Sequence, residues 1–227
     1  MTGEGVAPLD DSQPCRLCGT QATLFYTDTR NFYRCPLCHF IFTNQMADSA
    51  GQAAHYKGQW GNADEAFWKK QAGNIIAVLS RYGSPRRILD FGSGSGALSG
   101  ELAGLGYDVT PLEPMIHGYL KDQRYPAKFD AIVAIEVIEH LPDMWDQLEE
   151  LYKVLEDGGV MLFATLLTNR FIDAPDAREQ FCAWWYKDDQ THVNFFCNRA
   201  LAVMERISGL AIDVYANQLF VARKAGK

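Results

Sequence analysis

The chain has 227 residues, of which 48% are hydrophobic and 12% are aromatic. This length suits one ordinary domain plus a small accessory module, and the apolar content excludes wholesale disorder. The 21 Lys and Arg residues against 28 Asp and Glu residues give a formal charge of −7. No basic run stands out, and residues 1–50 hold three basic and five acidic side chains, so the composition counts against a nucleic-acid binder.

The N-terminal segment, residues 1–14, is polar and acidic and lacks the apolar core of a signal peptide. The longest apolar run, residues 158–167, is about half as long as a membrane span. Six cysteines without an export signal predict reduced thiols. We therefore expect a cytoplasmic protein with no membrane segment.

Four of the six cysteines form two Cys-x-x-Cys pairs, Cys15/Cys18 and Cys35/Cys38, which are separated by 16 residues. Two such pairs at this spacing predict a tetrahedral zinc site with each pair on a tight turn. Four thiolates leave no open position, so the predicted zinc is structural and stabilises a unit too small to fold by burial alone. The alternatives are ordinary core cysteines or a redox pair, although neither pair opens a helix after a strand.

Composition divides the chain at two points. Residues 1–43 comprise a tail and the predicted zinc ribbon, residues 44–63 form a connector rich in Ala, Gly, Gln and Asn, and residues 64–227 form the main domain. Within these units we expect His39 to lie apart from the zinc site. Cys182 and Cys197 are single, and we expect them to be core residues.

After residue 63 the chain alternates between helical and strand-like patterns. The helical patterns, with apolar residues three and four apart, cover residues 64–82, 97–105 and 143–155. The strand patterns cover residues 87–91, 107–112, 129–135, 160–165, 211–215 and 219–222. The alternation predicts an α/β fold, a Rossmann-like parallel sheet with helices on both faces, and the last two strands predict an antiparallel edge.

Residues 89–96, Leu-Asp-Phe-Gly-Ser-Gly-Ser-Gly, follow a predicted strand and open a predicted helix. The glycines allow positive φ and let a ligand approach the backbone closely. Glu113 lies 21 residues after Gly92, at the end of the next strand, where it can accept hydrogen bonds from both ribose hydroxyls. This arrangement predicts a nucleoside-binding half-site. The candidate cofactor-binding residues are Asp90, Gly92, Ser93, Gly94, Gly96, Glu113 and Glu136.

The nucleoside itself is less obvious, because Gly92-x-Gly94-x-x-Ala97 also satisfies the dinucleotide fingerprint in its alanine form. Two features favour S-adenosylmethionine (SAM) over NAD. Too few residues remain outside the zinc unit for a separate substrate domain. Asp90 would also place a carboxylate near a pyrophosphate, whereas SAM carries cationic groups that a carboxylate stabilises.

Residues 90–96, Glu113 and residues 129–143 (FDAIVAIEVIEHLPD) together resemble the successive motifs of class I SAM-dependent methyltransferases. The similarity covers about residues 60–223. It implies that residues 64–227 form a class I methyltransferase domain.

By this resemblance, Asp90, Gly92, Gly94 and Glu113 carry over as SAM-binding positions. The family's usual third strand, often followed by an acid or amide near adenine, is hard to find between residues 114 and 128. No adenine-contacting residue is therefore predicted.

Active sites of such sheets lie beyond the carboxyl ends of the strands. Glu136, Glu139 and His140 follow strand 129–135, and His192 comes much later. Glu-x-x-Glu-His with a distant His resembles two groups of metal-assisted O-methyltransferases, one acting on the terminal ribose 2′-hydroxyl of small RNAs and the other on catechol-type intermediates of ubiquinone synthesis. The resemblance implies a catalytic Mg²⁺, Mn²⁺ or Zn²⁺ ion with open positions for a diol. The alternatives are a metal-free site in which His192 or His140 is the general base, or histidines that only pack.

Two sets of aromatic residues are candidates for the pocket. Trp184, Trp185 and Tyr186 form either a lid over an aromatic or sugar-like acceptor or a core cluster. Tyr56 and Trp60, before the first domain helix, are predicted to close over the cofactor.

The sequence therefore predicts a SAM-dependent methyltransferase that acts on a hydroxyl of a small-molecule acceptor. Three alternatives stay open: an RNA methyltransferase whose ribbon docks the nucleic acid, a C-, N- or S-methyltransferase of a small metabolite, and a non-catalytic scaffold. The net charge disfavours the first. The joint presence of Asp90, the glycines, Glu113 and His192 disfavours the last.

Overall fold

The computed structural model describes residues 11–46 and 64–226. The strands are β1 (Ser12–Pro14), β2 (Gln21–Thr27), β3 (Asn31–Arg34), β4 (Ile41–Phe42), β5 (Arg87–Phe91), β6 (Asp108–Leu112), β7 (Phe129–Ile135), β8 (Leu155–Ala164), β9 (Asn194–Phe195), β10 (Ala211–Tyr215) and β11 (Leu219–Arg223). The helices are α1 (Glu65–Leu79), α2 (Ala97–Gly104), α3 (Pro114–His117), α4 (Met144–Val154), α5 (Ala177–Cys182) and α6 (Asn198–Ser208). None of the helices in these two ranges is long and apolar enough to cross a membrane.

The N-terminal unit is an antiparallel sheet in the order β1-β2-β3-β4-β9. Its last strand comes from far along the chain, and Ile41 pairs there with Phe195. The unit thus shares both a sheet and a core with the main domain. The shared core contains aromatic rings from both units, namely Phe32, Phe40, Phe42, Phe181, Phe195 and Phe196.

The main sheet has the strand order β10-β11-β8-β7-β5-β6. Strands β8, β7, β5 and β6 are parallel, and β11 and β10 add an antiparallel edge. The predicted Rossmann-like α/β fold is therefore confirmed. Strands β5, β6 and β7 end at Phe91, Leu112 and Ile135. Because parallel strands end at the same edge of a sheet, the segments that follow these residues lie together at that edge.

Side chains alternate between the two faces of this sheet, as a period of two requires. Along β7, Ala131 and Val133 belong to one core, and Ile132 and Ala134 belong to the other. Helices α1 and α2 cover the first face with Ala72, Ile75, Leu79, Leu98 and Leu102. Helices α4 and α6 cover the second face with Leu148, Leu151, Leu201 and Met204.

Several element boundaries differ from the sequence prediction, and two of the differences have a specific physical reason. Helix α1 begins at Glu65 because Asp64 caps it, and Asp64 Oδ1 accepts the Phe67 N–H at 2.7 Å. Strand β8 begins at Leu155 because that residue pairs with Phe129 across a register shift. Residues 114–128 form short helical turns and no strand, so β6 is the edge strand.

Candidate functional site

The four cysteines of the ribbon converge on one point. Their Sγ atoms all lie within 4.8 Å of one another, and the Sγ atoms of Cys18 and Cys35 are 3.5 Å apart. Cys15, Cys35 and Cys38 are buried, and Cys18 is partly buried. Four soft thiolate donors at this separation fit a tetrahedral Zn²⁺ ion.

The two Cys-x-x-Cys turns share one backbone geometry. The Gly19 N–H donates to Cys15 O at 2.7 Å, and the His39 N–H donates to Cys35 O at 2.9 Å. Gly19 and His39 both have positive φ, 75° and 58°. The His39 ring turns away to Asp173, whose Oδ1 lies 2.7 Å from Nδ1. The cysteine cluster does not include His39.

The two remaining cysteines differ from each other. Cys197 is buried as expected and caps α6, where its Sγ accepts the Ala200 N–H at 3.4 Å. Cys182 is exposed, so the prediction that it is a core residue is wrong. The helical period of the short helix α5 directs Ala177 and Phe181 into the core instead.

The glycine turn between β5 and α2 lines a cavity of about 1420 Å³. Gly92 has φ +74°, and a Cβ built there would lie 2.5 Å from Val137 Cγ2, so only glycine fits. Ser93 Oγ is buried and has no hydrogen-bond partner among the described residues. The turn therefore offers close backbone approach and a hydroxyl available to a ligand.

Glu113 faces the glycine turn from the end of β6. Its Oε2 accepts the Gly94 N–H at 3.1 Å, and its Oε1 accepts the Met115 N–H at 3.3 Å. The Glu113 N–H in turn donates to His117 Nδ1 at 2.9 Å. The carboxylate is held at the cavity wall, against the glycine turn, where the predicted nucleoside half-site needs an acceptor.

The predicted cofactor-binding residues divide into two groups. Those that line the cavity are Gly92, Ser93, Gly94, Glu113 and Glu136. Gly96 instead caps α2 in a left-handed conformation, with φ 79°. Asp90 is 2% exposed, and its Oδ2 accepts the Ser99 Oγ–H at 2.6 Å. Burial raises the pKa of Asp90 to about 6, and the Glu113 charge adds to this effect.

Asp90 is expected to make the free energy of unfolding fall as the pH rises from 4 to 7. Its pKa in the folded protein, about 6, lies above the ordinary value of 3.8. Its stabilising contribution is therefore complete below pH 3.8 and is lost as the pH rises through 6. The difference of about two in pKa corresponds to about 3 kcal/mol. Urea unfolding of the wild type and of Asp90→Asn between pH 4 and 7 measures this change in the free energy of unfolding. If the free energy of unfolding depends on pH in the same way in both proteins, the prediction is wrong.

Glu136 and Glu139, here called the acidic pair, share one phenol. The Tyr186 hydroxyl lies 2.8 Å from Glu136 Oε2 and 2.6 Å from Glu139 Oε1. A phenol has one proton and can donate to only one carboxylate at a time. Burial raises the pKa of both carboxyl groups, and the Glu136 charge raises that of Glu139 further. These surroundings favour a shared proton within the acidic pair or a cation beside it.

The backbone directs Glu136 toward the cavity. Its φ is 52°, a region that residues other than glycine rarely adopt. The Glu136 N–H donates to Ala164 O at 2.9 Å, which ties this turn to the end of β8. Such strain costs about 1–3 kcal/mol and is concentrated at functional sites.

His140 and His192 lie side by side, with ring centroids 4.6 Å apart. Nδ1 of His192 lies 2.7 Å from Tyr186 O, and Nδ1 of His140 lies 3.2 Å from Thr191 O. Because a carbonyl oxygen only accepts, each neutral ring carries its proton on Nδ1 and its lone pair on Nε2. Metal-binding histidines commonly donate to a carbonyl in this way.

Glu139, His140 and His192, here called the Glu-His-His group, offer ligand atoms within 4.8 Å of one another. Glu139 is completely buried, and its Oε2 has no hydrogen-bond partner among the described residues. A buried acceptor of this kind needs a proton or a cation. The donor set therefore fits a divalent ion. Glu136 is not part of this group and instead lines the cavity.

The Trp-Trp-Tyr run is divided between core and cavity. Trp184 and Tyr186 are buried, whereas Trp185 is 67% exposed, and both Trp185 and Tyr186 line the cavity. The expectation of a core cluster thus fits Trp184 and Tyr186, and a place at the pocket fits Trp185 and Tyr186. Tyr56 and Trp60 lie outside the described residues.

Sequence reasoning assigned no role to the Tyr186 hydroxyl or to Arg30. Tyr186 reaches the acidic pair and also lies 3.1 Å from Thr165 Oγ1. The sequence of an aromatic run does not indicate that its tyrosine hydroxyl contacts a carboxylate about 50 residues earlier in the chain, so no sequence signal could have identified this contact.

The fold and the cavity define the class of protein. A parallel sheet with a glycine turn after β5 and an acid after β6 is the architecture of class I SAM-dependent methyltransferases. Residues 67–213 match the family described as "Methyltransferase domain", which is more than half of the chain. The chain belongs to this methyltransferase family.

Among curated relatives, the chain is 29% identical over 107 residues to a ubiquinone biosynthesis O-methyltransferase of Proteus mirabilis, covering 37% of this chain and 44% of the relative. It is 28% identical over 153 residues to a malonyl-[acyl-carrier protein] O-methyltransferase of Enterobacter lignolyticus, covering 59% of this chain and 58% of the relative. The chain spans about half the length of these relatives.

Solved structures share the fold at low identity. The 1,6-didemethyltoxoflavin-N1-methyltransferase of Burkholderia thailandensis superposes with a TM-score of 0.57 at 17% identity, covering 88% of this chain and 98% of that one. The plantazolicin methyltransferase gives a TM-score of 0.56 at 13% identity, covering 79% and 92%. Both were solved with S-adenosylhomocysteine. At these identities the likeness shows the fold alone.

Proposed function

We propose that this protein transfers a methyl group from SAM to a hydroxyl of a small-molecule acceptor, with a divalent ion held by the Glu-His-His group. The observation that carries the proposal is that His140 and His192, each in its Nδ1–H tautomer, offer ligand atoms within 4.8 Å of a carboxylate oxygen of Glu139. Glu139 is fully buried, and its Oε2 has no hydrogen-bond partner among the described residues. These donors lie beyond the carboxyl ends of the strands, where such folds carry out their chemistry.

The glycine turn and Glu113 would hold SAM, whose sulfonium supplies an electrophilic methyl group. Glu113 is suited to accept hydrogen bonds from the ribose hydroxyls, and Ser93 Oγ is available to a polar group of the ligand. Asp90 lies behind the turn and contributes a nearby negative charge when it is ionised. Together these groups favour a cationic nucleoside over a pyrophosphate.

The Glu-His-His group would act on the acceptor. A divalent ion held there would lower the pKa of a bound hydroxyl and orient it. Tyr186 holds Glu139 from behind, and the carbonyls of Tyr186 and Thr191 orient the two imidazoles. Glu136 lines the cavity next to this group and is available to receive a proton from the acceptor.

The cavity walls favour a small apolar or aromatic acceptor. Phe67 and Trp68 of α1 line the cavity together with Trp185. The net charge of −7 does not suit a polyanionic acceptor such as RNA. The names of the O-methyltransferase relatives are consistent with a hydroxyl acceptor. We further propose that Cys15, Cys18, Cys35 and Cys38 hold one structural zinc ion.

The proposal predicts that EDTA abolishes methyl transfer while SAM still binds. Tritiated SAM is supplied with a probe panel of 3,4-dihydroxybenzoate, a primary amine and a thiol. We expect transfer to the catechol, loss of at least about 10²-fold on chelation, and recovery with Mg²⁺ or Mn²⁺. Metal analysis after the same treatment checks that zinc is retained, and calorimetry with S-adenosylhomocysteine checks the cofactor site.

Two outcomes contradict the proposal. Activity that persists in EDTA assigns His192 or His140 as a metal-free general base, for which about 10²–10⁴-fold is the usual contribution. Transfer only to the amine or the thiol excludes O-methylation.

A further inference from the structure

The turn between β2 and β3 of the ribbon reaches the segment that carries His192. Arg30, in this turn, is 4% exposed. Its Nη1 donates to His192 O at 2.9 Å, and its Nη2 donates to Lys187 O. Its guanidinium also lies over the Phe32 ring, 4.9 Å from the centroid. One side chain of the ribbon thus bridges two carbonyls that are five residues apart.

A second residue of the same turn holds the same segment. Asp28 Oδ2 accepts from Lys187 Nζ at 3.3 Å, and Asp28 Oδ1 accepts the Arg30 N–H at 2.8 Å. Lys187 is 4% exposed, so this ion pair is shielded from solvent on one side. Asp28 therefore anchors the start of the segment, and its negative charge also favours the buried guanidinium of Arg30.

The segment from residue 187 to residue 195 lies between the ribbon and the residues that follow β7. On the ribbon side, the Thr43 N–H donates to Val193 O at 3.1 Å. On the other side, the Val193 N–H donates to Glu139 O at 2.8 Å. His192 lies directly before Val193, whose backbone is hydrogen-bonded to both units, so a shift of His192 would strain contacts on both sides.

The bridge made by Arg30 closes the same loop that orients the imidazole. The His192 Nδ1–H donates to Tyr186 O, next to the Lys187 carbonyl that Arg30 binds. A guanidinium presents its donors in a rigid fork that suits two acceptors at once, which an ammonium group cannot match. The ring orientation of His192 thus depends on a loop whose two ends Arg30 ties together.

We propose that Arg30 is a positioning residue for His192, so that the ribbon braces the candidate active site. The proposal rests on the function proposed above, in which His192 acts at the reaction centre. It gives the ribbon a role within this chain that requires no nucleic acid.

The test compares Arg30→Met with Arg34→Met in the full-length, zinc-containing protein. Methionine keeps much of the apolar stem and removes the donors. Arg34 is a matched control because it lies on the neighbouring strand β3 and contacts Asp173 and the Phe25 ring instead. The first readout is amide hydrogen exchange in residues 186–193 and in residues 92–99. The second is the ¹⁵N shifts of the His192 ring, whose signals are assigned by their loss in His192→Ala.

In Arg30→Met, we expect exchange in residues 186–193 to accelerate at least about tenfold, because charge-assisted hydrogen bonds to two carbonyls are lost. Exchange in residues 92–99 stays unchanged, and the ¹⁵N shifts of His192 move from the Nδ1–H tautomer toward a mixture. With tritiated SAM and 3,4-dihydroxybenzoate, kcat falls at least about tenfold while the affinity for S-adenosylhomocysteine changes less than about twofold. Arg34→Met leaves all of these readouts as in the wild type.

Two results would overturn the proposal: unchanged exchange and ¹⁵N shifts in Arg30→Met, or equal changes in Arg34→Met. If Arg30→Met does not fold, as loss of S-adenosylhomocysteine binding would reveal, Arg30→Lys and Asp28→Asn take its place. Both are expected to accelerate exchange in residues 186–193 by a smaller factor, and no acceleration in either contradicts the proposal. Hydrogen exchange and ¹⁵N shifts do not depend on the reaction. The positioning role of Arg30 can therefore be confirmed even if His192→Ala retains full activity and the proposed function is wrong.

Discussion

Replacement of His192 by alanine is expected to lower methyl transfer by about 10²–10⁴-fold. His192 is 5% exposed, and its ring is oriented by the Tyr186 carbonyl at 2.7 Å. Because Nδ1 donates to that carbonyl, Nε2 is the ring atom that His192 offers to the Glu-His-His group, and the proposed function makes it either a metal ligand or a general base. The substitution removes either role but leaves the glycine turn and Glu113 in place. The affinity for SAM is therefore expected to change by less than about twofold.

Gln190→Ala is the matched control, since Gln190 is exposed in the same segment. We expect its kcat to remain within about twofold of the wild type. Initial rates with tritiated SAM and 3,4-dihydroxybenzoate, together with calorimetry for cofactor affinity, measure both variants. Full activity in His192→Ala, with or without added Mn²⁺, would reduce His192 to a packing residue.

The double substitution Cys15→Ser/Cys38→Ser is expected to remove a zinc content of about one ion per chain. Structural zinc sites of this type bind with an apparent free energy of about 10–16 kcal/mol, which is also folding free energy. The consequence extends beyond the ribbon, because Phe32 and Phe40 pack on Phe181 and Phe196 of the main domain. We expect Tm to fall by about 10 °C or more.

Cys182→Ser is the control for the zinc prediction, because Cys182 is exposed and lies outside the cysteine cluster. Its zinc content and Tm are expected to match those of the wild type. Elemental analysis of the purified proteins and thermal scans at one concentration measure both quantities. Unchanged zinc content in the double variant would exclude the four-cysteine site.

The main sheet could be predicted because its signals are local. The buried strand 129–135 has the predicted bounds, and the glycine turn follows β5 as expected. In contrast, the start of β8 at Leu155 depends on pairing with Phe129, a contact that no local pattern encodes. Cys182 was misjudged for a similar reason, since the face that a short helix buries depends on its neighbours.

The candidate site was only partly predictable. The spacing predicted that Gly92 and Glu113 lie together, and both line the cavity, because a turn and the next strand end are close in sequence and in space. The sequence did not predict that Asp90 lies behind the turn or that Glu139 lies behind the cavity wall. The burial of these two carboxylates depends on the packing of Ser99 and Tyr186 against them.

By itself, the sequence determined the fold class and the positions of the two Cys-x-x-Cys turns and of the predicted cofactor half-site. The reason is that apolar periodicity, cysteine spacing and glycine content act over a few residues. Only the tertiary structure decided that His192 meets Glu139 and His140, and that Arg30 of the ribbon reaches the same segment. These contacts join residues from 52 to 162 positions apart. They form because β9 pairs with β4, which holds the segment carrying His192 between the N-terminal sheet and the residues that follow β7.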